Sequence, residues 1–155
     1  MKAAIALVLF GALSATRVHA QGTRAIPLDA PTLSALPRET VDADSHGHAL
    51  TCEGVALVAL LRHAGAMPDD GLRGAQFAGI VEADARDGQR VAFSLGELDP
   101  ATGGRRVYVV DRCNGAPLDD RIGPLRLLVP EDAAPARWLR QLRSITVSAA
   151  GGATP

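Results

Sequence analysis

Only one segment of this chain spaces its apolar residues with a clear helical period. Leu57, Leu60, Leu61 and Ala64 fall at i, i+3, i+4 and i+7, so Ala56–Ala64 reads as a short amphipathic helix, with Gly65 just past its end. Most of the other apolar residues lie in short runs rich in β-branched side chains, bounded by turn residues. Strands are expected at 39–43, 50–53, 77–83, 90–93, 107–110, 125–129 and 145–147, with turns at Gly54, Asp87-Gly88 and Asn114-Gly115. Thr32–Leu36 reads as a helical turn stopped before Pro37. Ser94-Leu95-Gly96-Glu97 has the spacing of a capping box and opens a second short helix that ends near Pro100. Short strands outnumbering short helices imply an α+β domain, with a mixed or antiparallel sheet and helices to one side.

At 155 residues, the chain is long enough for one domain with a core. Residues 1–20 read as a signal peptide: Lys2, an apolar run from Ala3 to Ala15, and the small-residue site Val18-His19-Ala20. That run is short for a membrane span, and no later segment suits one. The expected location is therefore periplasmic or secreted. Residues 21–32 contain Pro and read as an irregular leader, 33–147 as the domain, and the small-residue stretch 148–155 as a disordered tail. Without residues 1–20 the formal charge moves from −1 to −3, because Lys2 and Arg17 leave and no acid does. A slightly acidic chain does not suit nucleic acid. After Lys2 every basic side chain is Arg, but a chain this rich in Ala, Gly and Pro gives that count no special weight.

Two cysteines, Cys52 and Cys113, fall in the exported part. An oxidising compartment permits a disulfide between them, worth about 4 kcal/mol by loop closure; two buried thiols fit the sequence equally well. His46 and His48 flank one glycine and offer half of a metal site, while His63 lies apart on the helix. Ser94 lacks a nucleophile elbow and is explained as a helix cap. Asp84, Asp87, Glu97 and Asp99 lie near turns without a spacing that singles out a catalytic pair. Gly103-Gly104 and Gly151-Gly152 lack the strand-to-helix setting of a phosphate loop. The segment 123–147 holds Arg126 in a strand, then Arg137, Arg140 and Arg143 at three-residue spacing around the single Trp, Trp138. One reading is an amphipathic helix with a basic outer face and Trp138 and Leu142 inward. The other is a guanidinium cluster beside an indole that holds an anion or a planar ring.

Taken in order, five motifs resemble one family. They are TCEGVALVALLRHAG (51–65), DGQRVAFSLGELD (87–99), VYVVDRCNGAPL (107–118), GPLRLLVP (123–130) and RWLRQLRSITV (137–147). Together they are similar to the molybdopterin-binding domain of sulfite-oxidase-like oxidoreductases, and most of all to its small exported single-domain members. The resemblance covers about 110 residues and implies that family's α+β fold. It also implies that Arg126, Arg137 and Trp138 lie near a pterin cofactor or its phosphate.

The chain departs from the family where the metal is held. Catalytic members supply a Cys thiolate to molybdenum from the strand upstream of the G-V-x-L helix, whereas residues 39–45 here are Glu-Thr-Val-Asp-Ala-Asp-Ser. Molybdenum is kept in such proteins by soft thiolate ligation. The leading expectation is therefore a non-catalytic binding module for a pterin-like or other anionic ligand, or for an exported protein partner. The alternative is a molybdopterin-dependent oxidoreductase with Cys52 as an unusual metal ligand. A thiol used in a disulfide cannot play that part.

Overall fold

The computed structural model describes residues 22–149. The expected signal peptide and most of the expected tail lie outside the described residues. The domain is α+β, as the strand-rich pattern requires, and its strands form two antiparallel sheets.

The first sheet has the order β1-β9-β4-β5, formed by Thr23–Ile26 (β1), Ile80–Ala85 (β4), Arg90–Ser94 (β5) and Leu142–Ser148 (β9). The second contains Glu39–Ser45 (β2), His48–Ala56 (β3), Tyr108–Cys113 (β6), Ala116–Pro117 (β7) and Arg126–Leu128 (β8). In it β2 pairs with β3 and β3 with β6, while β7 and β8 share the other edge of β6. Three short helices, Ala30–Ser34 (α1), Leu57–His63 (α2) and Leu95–Leu98 (α3), join them. One apolar core links both sheets to α2, with Leu57, Leu60, Leu61, Phe93, Leu127 and Ile145 all essentially without solvent contact.

Local chemistry accounts for the turns. The hairpin between β2 and β3 closes through His46 and Gly47, both at positive φ, and the one between β6 and β7 through Asn114 and Gly115, also both positive. That is the two-residue geometry whose twist matches antiparallel strands. Gly65, at φ 65°, ends α2 as its position suggests. The β3–β6 register slips between Glu53 and Gly54, with Asp111 the extra residue on β6, and there the backbone of β6 comes too close to Gly54 for any side chain. A Cβ on Gly54 would lie 2.6 Å from Val110 Cα.

Several boundaries differ from the sequence reading. Residues 21–32 do not form an irregular leader throughout, because Thr23–Ile26 pair with Ile145–Ser148 and Ile26 is buried. The ordered domain therefore begins before residue 33. It also extends past 147, since Ser148 pairs with both Thr23 and Ile80. The strand expected at 77–83 starts only at Ile80; Gly74–Ala78 form a 3₁₀ turn that places the Phe77 ring and carbonyl against Gly96. No amphipathic helix spans 137–143. Pro135–Arg137 make a single 3₁₀ turn, Trp138 is extended, Gln141 takes φ 47°, and β9 begins at Leu142. Tertiary bonds replace the helical ones there: Leu127 donates to Leu139 O at 2.9 Å and Gln141 to Ile122 O at 2.7 Å. The capping box at Ser94 forms by half. Ser94 Oγ accepts from Glu97 N at 3.0 Å, but the Glu97 carboxylate turns away toward two arginines.

Candidate functional site

Trp138 is anchored in the core. Its indole lies in the core, 4% exposed, and Nε1 donates to Val129 O at 2.7 Å just beyond β8. A buried indole N–H needs such an acceptor, and this one ties the 3₁₀ turn to the end of β8. Arg126, on β8 opposite Val110, lays its guanidinium over the Trp138 ring, 5.0 Å from the centroid. This is cation–π geometry.

Arg126 is chemically unusual in this chain. It is half-buried, and its Nε is buried with no hydrogen-bond partner. No carboxylate forms an ion pair with it among the described residues. Burial, and then the charge of Arg140, pull its pKa below the ordinary arginine value. Arg140 is itself loosely held, with Nη2 3.9 Å from Asp87 Oδ2.

Arg137 is placed differently, although it precedes Trp138 directly. Its Nε and Nη2 donate to Asp132 at 2.8 and 2.6 Å, and its Nη1 to Glu97 at 3.3 Å. Its guanidinium covers the Phe93 ring at 4.9 Å. Arg105 reaches the same two acids, 3.2 Å from Asp132 and 3.3 Å from Glu97. Two cations and two anions thus close into a quartet. Bonding to Asp132 first, and then to Glu97, drives the Arg137 pKa upward, and the Arg137 bond holds the Asp132 carboxyl below its usual value. The structure therefore brings Arg126 and Trp138 together and gives Arg137 two internal carboxylates as acceptors. Sequence spacing does not reveal that difference, because Glu97 and Arg105 arrive from 40 and 32 positions away. Arg140, not Arg137, is the cation whose charge acts on Arg126.

The cysteines face each other directly across β3 and β6 and form a disulfide, with Cys52 fully buried. No free thiolate remains on either residue in this oxidised chain. His46 and His48 stand at the exposed tip of the β2–β3 hairpin, and His63 ends α2. Among the described residues no group of three His, Cys, Asp or Glu side chains converges as a metal site. Asp99 is the one buried acid among the described residues. Its carboxylate accepts from Leu72 N at 3.1 Å and Ala101 N at 3.0 Å, and these amides hold its pKa down. It ties two loops together and faces no acid or base partner suited to catalysis.

A scan of protein-family models and a search of curated proteins give no match to this chain.

Proposed function

We propose that this domain is a non-redox binding module of an exported compartment that holds an anionic, pterin-like ligand at Arg126. The reading rests on one observation: a half-buried guanidinium stacked on a buried indole, with no carboxylate paired to it among the described residues. A partly buried cation without a partner is costly unless something outside the fold supplies the charge. A ligand oxyanion would meet the guanidinium edge, while Trp138 covers one guanidinium face. Arg140 would add long-range attraction for the same ligand.

Molybdenum does not fit the donor set. A sulfur bonded to another sulfur offers no thiolate, and the expected ligand position in 39–45 holds none. Cys52 is therefore not proposed as a metal ligand, and no redox step is derived. The disulfide is compatible with an oxidising compartment. Among the described residues, no helix is long and apolar enough to cross a membrane.

Trp138 is the only Trp in the chain, so its fluorescence reports on the site directly. Titration with inorganic phosphate and with 6-hydroxymethylpterin should change it saturably. Arg126→Met should weaken the response at least tenfold, and Arg137→Met should leave it within about twofold. Equal binding by Arg126→Met would overturn the assignment.

A further inference from the structure

A second concave surface lies away from Trp138. It is a cleft of about 340 Å³ where the end of α2, the 74–78 turn and the paired ends of β1 and β9 meet. That is within the size range of small-molecule sites. Its walls are largely apolar, with Ala66, Pro68, Leu72, Leu95 and Val147 among them. The polar groups are one-sided: Arg24, Gln76 and Ser148 line the cleft, and among the described residues no acidic one does.

The exposed Arg24 and Gln76 side chains are each held by bonds that leave donors free. Arg24 Nη1 donates to Ala64 O at 2.8 Å and Gly65 O at 2.6 Å, two carbonyls just past the end of α2. Among the described residues its Nε and Nη2 have no partner and no carboxylate pairs with it. Gln76 Oε1 accepts from Arg73 N at 2.8 Å, which orients the amide and leaves its NH₂ unpaired. Phe77 and Ile80, the two exposed large apolar side chains among the described residues, lie within two positions of the lining residue Gly79 in sequence.

We infer that this cleft binds a small monocarboxylic acid with a compact apolar body, such as a single ring on a short chain. The carboxylate meets the remaining Arg24 donors and the Gln76 amide, while the body covers Leu72, Leu95 and Val147. A cation without acidic neighbours selects charge, and the apolar wall selects shape. The inference is independent of the reading of Arg126.

The test uses the full chain, with 4-phenylbutyrate and its neutral counterpart 4-phenylbutan-1-ol as probes, followed by amide chemical shifts. The acid should shift Gly65, Ala66, Gln76, Gly79 and Ser148, and the alcohol should bind at least tenfold more weakly. Ala75→Trp adds an indole at an exposed lining position and should abolish binding. Arg24→Gln keeps a donor for the Ala64 and Gly65 carbonyls and should weaken the acid about tenfold. Arg126→Met should change neither result. Equal binding of acid and alcohol, shifts confined elsewhere, or no shift at millimolar acid would overturn the inference.

Discussion

Replacing Arg126 by Met should make the free protein more stable while removing ligand binding. The Arg126 Nε is buried without a partner, and leaving such a donor unsatisfied costs about 1–3 kcal/mol. The stack on Trp138 returns about 0.5–2 kcal/mol, less at a partly exposed position. Met fills similar length along the ring, and a sulfur–aromatic contact contributes about 0.3–1.5 kcal/mol. It also removes the repulsion from Arg140. The net expectation is a gain of about 1 kcal/mol, or a Tm rise of roughly 3–5 °C for a domain of this size. Urea unfolding followed by Trp138 fluorescence reads it directly, with the midpoint raised and the slope unchanged. Added phosphate should stabilise the wild type through linkage and leave Arg126→Met unmoved. A loss of 1 kcal/mol or more in the variant without ligand would refute the reasoning, because it would mean that the fold already satisfies this guanidinium.

Three further expectations follow from the same structure. Cys52→Ala/Cys113→Ala removes a cross-link between residues 61 apart and should cost about 4 kcal/mol in urea unfolding; a change under 1 kcal/mol would contradict the loop-closure account. Gly54→Ala puts a Cβ against the β6 backbone and should cost about 3 kcal/mol or more, whereas Gly22→Ala, with open space around it, should be nearly neutral by the same assay. The Asp132 carboxyl has a depressed pKa in the folded state, chiefly through its bond to Arg137. Its stabilisation is therefore full above the unfolded Asp pKa of about 3.9 and is lost as pH falls through the folded value. Thermal unfolding between pH 5 and pH 2 should show that loss, and Asp132→Asn should flatten it; an unchanged acid limb would count against the quartet.

The parts of the fold that local chemistry decides were readable in the sequence. The α2 period, Gly65 and Asn114-Gly115 each name a conformation with little help from the rest of the chain. What was not readable depended on partners far away. Thr23–Ile26 form a strand because Ile145–Ser148 offer an edge at the other end of the chain. The Arg137, Arg140 and Arg143 spacing fits a helix, yet Leu127, Ile122 and Leu125 draw that backbone into extended bonds. The site followed the same rule. Arg126 and Trp138 lie close because Val129 O accepts the indole N–H, while Arg137 is occupied because Glu97 and Asp132 arrive from other loops. The pattern of residues marked the basic segment, but only the pairing of charges separated the unneutralised arginine from the neutralised one.

The most direct measurement is metal and pterin content of the protein purified from the periplasm of a host that makes molybdenum cofactor, alongside Arg126→Met. The account predicts pterin-like material on the wild type, little or no molybdenum, and loss of the pterin from the variant. Near-stoichiometric molybdenum together with pterin would contradict it, as would a variant that retains as much pterin as the wild type.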